Sequence, residues 1–495
     1  MTKMKEENFI GVTVNRAGFE YDIHSLVKAF FPACEVKVFG ENEEKESSGP
    51  GLPDLNVNFA EEAVLISLIG EGKGTASFGG KKIKIEKDMP RPEIKNRLKQ
   101  LLYVVLSEYT GKQLPWGTLT GIRPTKIPMA MLEEGIGDEE IMEYMKNTYF
   151  ISDEKGKLAM QIAKREKELL ETLHYEDGYS LYIGIPFCPT TCLYCSFTSY
   201  PIVSWKKRIG EYLDALDKEI EFVAESCKDK VLDTIYIGGG TPTTLEAEEL
   251  SRLLTKIRNC LDLSHLKEFT VEAGRADSIT PEKLKALKEG GVTRISVNPQ
   301  TMKQETLDFI GRRHTVEQVK ETFAMARNAG FTNINMDLIL GLPGENEADV
   351  ENTMAEIEKL NPDSLTVHSL AIKRASRLSQ WIEENGISAL NNTDQTMHIT
   401  AKGAKEMGMV PYYLYRQKNM SGNFENVGYA KEGKFGVYNI LIMEEKQTIV
   451  ALGAGSITKR VFQDGRIERC DNVKDVSLYI EKIEEMIERK RRLLS

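Results

Sequence analysis

The sequence predicts an α/β protein whose central part is a partial (β/α)6 TIM-like barrel, preceded by an N-terminal α+β domain and followed by a C-terminal α+β extension. Two observations predict this class. Six short apolar runs between residues 180 and 370 alternate with helical patterns, which indicates parallel strands joined by right-handed crossovers. The 495 residues are too many for one ordinary domain. Because a closed barrel of this kind has eight units, six units predict an open one.

The predicted boundaries divide the chain into four segments. They are the α+β domain (1–112), a linker and helical segment (113–176), the partial barrel (177–380) and the C-terminal extension (381–495). Within the barrel segment, strand and helix signals repeat at short intervals, whereas the other segments show no such regular alternation. In folds of this type, the reacting groups lie at the carboxyl ends of the parallel strands.

Individual elements follow from apolar periodicity, caps and turns. In the first domain, strands are predicted over Phe9–Val14, Glu35–Phe39, Leu55–Phe59, Val64–Ile69 and Lys82–Glu86, with a glycine-rich hairpin signal at Gly70–Gly80 and a helix over Pro92–Leu106. The six barrel strands are predicted over Leu181–Pro186, Thr234–Ile237, Glu268–Ala273, Arg294–Val297, Asn333–Leu340 and Ser364–Leu370. Helix N-caps are predicted at Thr280 and Thr315. The extension is predicted to contain a strand over Thr448–Ile457 and a charged helix over Val476–Leu494.

Charge and composition restrict the function classes. Lys and Arg number 65 against 75 Asp and Glu, which gives a net charge of −10 and argues against broad binding to nucleic acid or anionic lipid. The first residues are polar and charged, and no apolar run approaches the ~20 residues of a membrane span. Seven cysteines, an odd number, suit a reducing compartment. The sequence therefore predicts a soluble cytoplasmic protein without a membrane span.

Three of the cysteines form a cluster that has the spacing of a metal site. Cys188, Cys192 and Cys195 follow the first barrel strand as C-x3-C-x2-C, and thiolates suit zinc or iron–sulfur clusters. A structural zinc site needs four ligands; the nearest upstream histidine, His174, is fourteen residues before Cys188, so zinc would need a distant ligand. A [4Fe–4S] cluster on three cysteines leaves one iron open to a small amine–carboxylate. The remaining cysteines are expected to be small buried hydrophobes: Cys34, Cys227, Cys260 and Cys470.

Further polar and glycine residues stand at the ends of the next strands. Gly238 to Thr241 follow the second strand, where glycines allow close backbone approach to a ligand; the alternative is a tight turn. Glu272, Gln300, Arg312 and Asp337 lie on or just after later strands. A carboxylate in a buried strand is costly unless it is paired, so ion pairs or strand-end surface charges are the alternatives. Their joint position predicts a ligand site at the mouth of the array.

The cysteine triplet, with Tyr194 before the third cysteine, resembles the signature of the radical S-adenosylmethionine (SAM) superfamily. That resemblance implies a [4Fe–4S] cluster whose open iron binds the methionine end of SAM, and reductive cleavage of the sulfonium to a 5′-deoxyadenosyl radical. The motifs YIGIPFC, GGGTPT, SVNPQ, GRRH, DLILGLPGE and LGAGS, over residues 180–460, resemble the oxygen-independent coproporphyrinogen III oxidase-like family. The stretches LPWGTLTGIRPTK and YYLYRQKNMSGNFENVGYA resemble its coproporphyrinogen dehydrogenase-like branch with a long N-terminal extension.

The resemblance also implies which residues bind the cofactors, whereas it assigns no catalytic side chain. Cys188, Cys192 and Cys195 would hold the cluster. The residues expected to contact SAM are Tyr182, Gly239, Gly240, Thr241, Glu272, Gln300, Arg312 and Asp337. For Tyr182, a core aromatic at the start of a strand is the alternative.

The implied reaction belongs to heme biosynthesis. The radical would remove hydrogen from the propionates of coproporphyrinogen III, and loss of CO2 and one electron would give the vinyl groups of protoporphyrinogen IX. This requires an electron donor such as flavodoxin or ferredoxin. The anionic tetrapyrrole also requires cations, for which the candidates, otherwise exposed basic turns, are Lys373, Arg374, Arg377, Arg416 and Lys418.

Two positions depart from the established oxidases. Phe197 stands where they carry a further cysteine, and Gly184 stands where they carry histidine. Both put the reaction, though not SAM cleavage, in question. The alternatives are a heme-binding chaperone of the same family, whose C-terminal His-Asn…Tyr-Trp type element is not found here, and a radical SAM enzyme acting on RNA, against which the net acidity counts.

Overall fold

The protein is described by a computed structural model over residues 9–32, 34–41, 43–71, 76–121, 123–373, 376–385, 390–417 and 424–495. Two of the candidate cations, Arg374 and Lys418, lie outside these ranges. The chain forms two compact units, Met1–Ala163 and Lys164–Ser495. Over the described ranges, every helix is too short or too polar to cross a membrane.

The N-terminal unit contains a mixed five-stranded sheet. Its strands are β1 Phe9–Val14, β2 Glu35–Gly40, β3 Asp54–Phe59, β4 Ala63–Glu71 and β5 Ala76–Lys84. Their order is β2-β1-β3-β4-β5. Strand β1 is parallel to β2 and β3, and β3, β4 and β5 form an antiparallel meander, which confirms the predicted hairpin. Strand β5 begins at Ala76 instead of Lys82, because pairing with β4 overrides the low strand propensity of Gly79 and Gly80.

Two helices, α1 Glu20–Phe30 and α2 Arg91–Thr110, pack against this sheet. They are followed by α3 Lys126–Glu133 and α4 Asp138–Tyr149 in the same unit, and by α5 Asp153–Leu170, which begins in this unit and ends in the next. Ile23 of α1 and Leu98 of α2 pack with Val12 and Leu55 of the sheet in one apolar core. Helix α2 ends where Gly111 adopts a left-handed φ of 68°, a conformation that glycine tolerates.

The C-terminal unit contains the predicted parallel array. Its strands are β6 Gly178–Ile185, β7 Phe187–Cys188, β8 Tyr200–Pro201, β9 Val231–Gly239, β10 Glu268–Glu272, β11 Arg294–Ser296, β12 Ile334–Leu340, β13 Ser364–Ser369, β14 Val410–Tyr415, β15 Asn426–Ala430, β16 Thr448–Leu452, β17 Ile457–Val461 and β18 Ile467–Asp471. Strands β6 and β9 to β13 lie side by side in chain order, each parallel to the next. All six predicted barrel strands are therefore confirmed.

The sheet extends beyond these six strands on both sides. Its full order is β14-β15-β13-β12-β11-β10-β9-β6-β16-β17-β18, so the array is open. Strand β16 is parallel to β6, whereas β15 is antiparallel to β13. The strand predicted over Thr448–Ile457 is wrong in its extent, because Gly453 and Gly455 adopt left-handed φ values of 93° and 73° that end β16 at Leu452 and turn the chain into β17.

Helices alternate with the parallel strands as predicted. They are α6 Ile209–Ser226, α7 Ala247–Cys260, α8 Pro281–Glu289, α9 Gln304–Phe309, α10 Val316–Asn328, α11 Glu347–Leu360, α12 Arg377–Asn385, α13 Asp394–Glu406, α14 Val437–Glu444, α15 Val476–Glu481 and α16 Ile483–Leu494. The Thr280 cap is confirmed, as is the capping box of Thr315 and Gln318. The predicted C-terminal helix is broken between α15 and α16 at Lys482.

A buried polar cluster joins α6 to the end of the chain. Glu219 Oε1 accepts hydrogen bonds from Lys490 Nζ at 2.5 Å and Asn472 Nδ2 at 3.0 Å. Its Oε2 accepts from Tyr479 OH at 2.5 Å and from the Gly453 amide at 2.8 Å. The side chains of Glu219 and Lys490 are both fully buried. We refer to these five residues as the Glu219 cluster; it holds the last helix against the first crossover helix of the array.

Candidate functional site

The three clustered cysteines lie on the segment that follows β6: Cys188 ends β7, and Cys192 and Cys195 lie in the loop between β7 and β8. Thr241 Oγ1 is 3.5 Å from Cys188 Sγ, and Arg275 Nη1 is 3.9 Å from Cys192 Sγ. Burial raises the pKa of Cys188 and Cys195, and the three thiols are close enough for the charges of the other two to raise that of Cys195 further. A metal cluster would displace these protons, because thiolates are the ligands.

The cysteine loop is held by backbone hydrogen bonds to two distant segments. The Leu193 amide donates to Ile310 O at 2.9 Å, and the Leu378 amide of α12 donates to Leu193 O at 3.0 Å. Thr190 Oγ1 donates to Gly311 O at 3.0 Å. The loop is therefore fixed between α9 and α12 rather than free on the surface.

The glycine run at the end of β9 lies against the same loop. The Gly240 amide donates to Ile185 O at 2.8 Å, and the Thr241 amide donates to Phe187 O at 2.7 Å. Gly239 has a φ of 107°, and a Cβ at Gly240 would lie 2.6 Å from Phe187 O. The tight-turn interpretation of these glycines is thus correct for their backbone. It does not exclude ligand binding, because both glycines also line the cavity described below.

Glu272 ends β10 and Asp337 lies on β12; β11 separates the two strands, but the two carboxylates are close enough for their charges to interact. Glu272 accepts hydrogen bonds from Tyr236 OH and the Gly239 amide. Burial raises the pKa of Glu272 to about 7; the Tyr236 hydrogen bond opposes this rise and the nearby Asp337 adds to it. For Asp337, burial favours the neutral form, but His368 and then Asn335 hydrogen bond to it and keep its pKa below the ordinary value.

Gln300 has a strained backbone within this group. Its φ is 70°, in the left-handed region. Its amide donates to Asp337 O at 2.9 Å, and its carbonyl accepts from the Ile339 amide at 2.9 Å, so the strand neighbours hold it in place. Left-handed backbone at a non-glycine residue costs about 1–3 kcal/mol and concentrates at functional sites.

Arg312 joins several segments at the cavity wall. Its Nη1 donates to Tyr194 OH at 3.1 Å, and its Nη2 donates to Gly274 O at 2.6 Å and Asn298 O at 2.8 Å. The side chain is nearly fully buried. Arg312 therefore connects the loop carrying the third cysteine to the ends of β10 and β11.

One cavity of about 630 Å³ brings these residues together. It is lined by all but one of the predicted cluster and SAM residues: Cys188, Cys192, Cys195, Gly239, Gly240, Thr241, Glu272, Gln300, Arg312 and Asp337. Tyr182 lies behind this wall, with its ring centroid 6.2 Å from that of Tyr236 and 6.3 Å from that of Tyr438 in stacked arrangements. Its contact with SAM stays a prediction.

Several buried polar atoms in the cavity have no hydrogen-bond partner among the described residues. They are Ser296 Oγ, Asn298 Oδ1, Gln300 Oε1 and Arg312 Nε. Buried polar groups are almost always paired, so this set predicts a ligand that supplies donors and acceptors. SAM carries an ammonium, a carboxylate and ribose hydroxyls, and three thiols stand in the same cavity. The residues present therefore fit a [4Fe–4S] cluster with SAM.

The thiols do not converge as ligands of one ion. Over the described ranges, no three His, Cys, Asp or Glu side chains meet at a point where a single metal ion could be held. A four-iron cluster provides a separate iron for each cysteine, so it accommodates such a spread.

Of the described candidate cations, Lys373 alone lines the cavity. Burial lowers its pKa, and its ammonium has no ion pair with a described residue. Arg377 donates to Thr191 O at 2.5 Å and lies in a separate recess. Arg416 is buried outside the cavity lining, where burial lowers its pKa to about 10.

Among the polar residues of the cavity that were not predicted from the sequence are Tyr236, Arg275, Asn298 and His368. Arg275 lies three residues after β10, Asn298 lies two residues after β11, and His368 lies near the end of β13. Glu272 was predicted because polar residues at the carboxyl ends of parallel strands meet at one edge of the sheet. The same rule, applied to every strand, also identifies Arg275, Asn298 and His368. Tyr236 carried no signal, because an aromatic residue within a strand is typical of a core.

Comparison with known proteins identifies the family. The radical SAM superfamily matches residues 182–357. The chain is 40% identical over 481 residues to the oxygen-independent coproporphyrinogen-III oxidase-like protein HemZ of Bacillus subtilis (strain 168), which covers 95% of both chains. The protein belongs to this radical SAM family. Such proteins use a [4Fe–4S] cluster and SAM, so the predicted cofactors are confirmed.

Two further relatives bear on fold and function. The chain is 42% identical over 195 residues to the heme chaperone HemW of the same Bacillus strain, which covers 39% of this chain and 51% of that protein. The crystal structure of coproporphyrinogen III oxidase (HemN) from Escherichia coli superposes with a TM-score of 0.50 at 23% identity, over 65% of this chain and 72% of that chain. The partial-barrel fold is therefore confirmed, and the similar proteins include one that is named an oxidase and one that is named a chaperone.

Proposed function

We propose that this protein is a radical SAM enzyme that oxidatively decarboxylates propionates of coproporphyrinogen III to vinyl groups, giving protoporphyrinogen IX. One observation carries this proposal. Three thiols, a set of unpartnered polar atoms and a lysine without an ion pair to a described residue line the same cavity, in a chain that matches an oxidase-like relative over 95% of its length. Since thiolate ligands require reducing conditions, we place the enzyme in the cytoplasm.

The cofactor-binding residues would divide between the two cofactors. Cys188, Cys192 and Cys195 would hold the cluster. When bound, the cluster and SAM together supply a carbon-centred radical that removes a hydrogen atom from the substrate. The protein's own contribution is to orient the reactants and to exclude water.

The polar residues of the cavity would orient SAM by complementary hydrogen bonding. Glu272, Gln300 and Asp337 present acceptor oxygens, which suit the ammonium and ribose hydroxyls of SAM. Arg312 presents an unpartnered Nε–H donor, which suits the carboxylate. Gly239, Gly240 and Thr241 would let the ligand approach their backbone, and Tyr182 would support the wall through Tyr236.

Other residues of the same cavity would receive the tetrapyrrole. Lys373 offers a positive charge for a substrate carboxylate. Tyr413 and Tyr415 give the cavity an aromatic wall, where a largely apolar macrocycle can pack and from which water is excluded. Phe197 lies at the rim and is 75% exposed, so its ring is available to the face of a macrocycle.

An anaerobic assay tests this function. Reconstituted protein, dithionite, SAM and coproporphyrinogen III are combined, and protoporphyrinogen IX and 5′-deoxyadenosine are both measured. We expect both products from the wild type. Lys373→Met should raise the KM for the tetrapyrrole at least tenfold, whereas Lys402→Met, at an exposed lysine on α13, should leave it unchanged. Formation of 5′-deoxyadenosine without a porphyrin product would contradict the proposed substrate.

A heme chaperone is the second candidate. It is favoured by the match to HemW and by Phe197 and Gly184, the two positions that depart from established oxidases. The chaperone function predicts stoichiometric heme binding and transfer of heme to an acceptor protein without release of CO2. The same preparations, incubated with heme and an apo-cytochrome, separate the two functions.

A further inference from the structure

A second recess, of about 520 Å³, opens beside the cysteine loop. Its lining includes Thr190 and Thr191, which lie between the first two cysteines, together with Arg312, Arg313 and Arg377. Thr191 is exposed, and the next residue is the buried Cys192. The covalent path from this surface to a cluster ligand is therefore a single peptide unit.

The recess is positively charged although the whole protein is acidic. Two exposed arginines, Arg313 and Arg377, line it beside the buried Arg312. Its one acid is Asp308, which accepts a hydrogen bond from Gln304 Nε2 at 2.9 Å. Arg313 is exposed and makes no ion pair with a described residue. Since the net charge of the chain is −10, this local cationic surface is distinct from the average surface and would attract an anionic partner.

Aromatic residues adjoin the arginines. Phe309 is 46% exposed, and its ring centroid lies 5.5 Å from that of Trp381 in an edge-on arrangement. Trp381 lies one helical turn after Arg377 on α12, and a Cβ at Gly311, two residues after Phe309, would be 3.9 Å from Arg377 Nη2. Arginine and aromatic residues are the types enriched at protein interfaces.

The surface is also fixed in place. Leu193 of the cysteine loop packs against the apolar cluster that contains Ile310 and Leu378, and the hydrogen bonds of Leu193 described above link the same segments. Arg377 adds a hydrogen bond to the Thr191 carbonyl. A partner that docks here meets a preformed surface, which lowers the entropic cost of association.

We infer that this surface, the cluster-loop face (Thr191, Phe309, Arg313, Arg377 and Trp381), docks an acidic one-electron carrier protein that reduces the cluster. The inference rests on the proposed function. In each transfer the carrier loses one electron and the cluster gains it, and no proton or bond is exchanged. Electron-transfer contacts are small and are steered by complementary charge, which suits a recess of this size beside the cysteines.

Charge reversal with two reductants tests the inference. Flavodoxin, an acidic flavoprotein, serves as the probe. The variants are Arg313→Glu and the double variant Arg313→Glu/Arg377→Glu, and the matched control is Arg492→Glu on α16, where the side chain is 77% exposed. Binding of oxidised flavodoxin is measured with and without the reconstituted cluster, at low and high salt. Formation of 5′-deoxyadenosine is then compared with flavodoxin hydroquinone and with dithionite as donor.

We expect Arg313→Glu to weaken flavodoxin binding about tenfold and the double variant to weaken it further, with loss of the salt dependence that wild type and Arg492→Glu retain. Iron content and dithionite-driven SAM cleavage should stay at wild-type levels in Arg313→Glu, since Arg313 holds no other described group. Unchanged flavodoxin affinity in both variants would overturn the inference. Absence of dithionite-driven cleavage in the wild type would instead overturn the proposed function.

Discussion

The Glu219 cluster and the cofactor cavity are both buried and polar, but they differ in how far their polar atoms are satisfied. Each carboxylate oxygen of Glu219 accepts two hydrogen bonds, and Lys490 also donates to Asn472. In the cavity, Gln300 Oε1 and Asn298 Oδ1 are among the atoms without a described partner. A satisfied polar group stabilises the fold, whereas an unsatisfied one gains a partner when a ligand binds.

The two regions also differ in backbone strain. Gln300 lies at a φ of 70°, while the Glu219 cluster combines the interior of α6 and α16 with a glycine, Gly453, at its positive φ. Strain that would weaken an ordinary core is thus placed at the ligand site. The comparison predicts that substitutions in the Glu219 cluster change stability and that substitutions in the cavity change binding.

The largest effect is expected from Cys192→Ala. Removal of one of three thiolates should abolish cluster assembly, and with it SAM cleavage, because the cluster then loses one of its three cysteine ligands. Iron content, the visible absorption of the cluster and 5′-deoxyadenosine formation measure the effect. Cys227→Ala, at a buried cysteine in the same unit, is the control and should retain all three. Equal losses in both variants would contradict the division between clustered and solitary cysteines.

The next largest effect is expected from Lys490→Ala. It leaves the Glu219 carboxylate buried without its counter-charge, which should lower the free energy of unfolding of the C-terminal unit by about 3–5 kcal/mol. Urea denaturation measures this loss of stability, and hydrogen exchange of the α16 amides shows whether the loss lies in the last helix. The control is Lys218→Ala, which breaks an exposed pair with Glu484 and should cost less than about 1 kcal/mol. If both variants lost the same stability, the Glu219 cluster would not be the support described here.

In contrast to Lys490→Ala, Gln300→Leu should change the affinity for SAM and leave the stability of the protein nearly unchanged. The substitution removes an oxygen that has no described partner, so the free energy of unfolding should stay within about 1 kcal/mol of the wild type. The dissociation constant for SAM should rise roughly tenfold or more, since a ligand donor then lacks its acceptor. Calorimetric titration of the reconstituted protein measures affinity. A stability loss as large as that of Lys490→Ala would remove the distinction between the two regions.

The smallest effect concerns pH. Because burial raises the pKa of Glu272 to about 7, its carboxylate becomes available to the cationic ligand only as the pH rises through that value. We expect the affinity for SAM to increase by less than tenfold between pH 6 and 8, and the increase to disappear in Glu272→Gln. In the absence of SAM, a rising pH has an unfavourable effect, which acts on the stability of the protein. The unfolded chain releases this proton near the ordinary value of 4.5, so the stability contributed by Glu272 declines as the pH rises from there to about 7.

The sequence was sufficient to predict the position of a residue where that position follows from the residue's own strand. The six parallel strands and the residues at their carboxyl ends were predicted because alternating βα units place those ends at one edge. Lys373 was found by the same rule. Tyr182 was predicted as a cofactor contact; its ring stacks with those of Tyr236 and Tyr438, and the contact with SAM stays a prediction.

The remaining features depend on pairing between segments far apart in sequence. Strands β14 to β18 extend the sheet on both sides, and their short runs gave no indication of which barrel strand they would join. The Glu219 cluster combines residues separated by 271 positions, and of its members only Gly453 lies in a motif, LGAGS. The positive φ of Gln300 also has no local signal, because the hydrogen bonds that hold it come from β12.

The pairing of β6 with β16 has a consequence for the order in which the protein is made. Strand β6 carries the chain into the cysteine loop, and one of its edges is completed by β16; the hydrogen bond between Ser180 and Gln447 spans 267 residues. During synthesis from the N-terminus, that edge stays unpaired until the 267 residues between Ser180 and Gln447 have been translated. The strand that leads into the cysteine loop therefore gains its second neighbour only after the five other parallel strands of the array have been made.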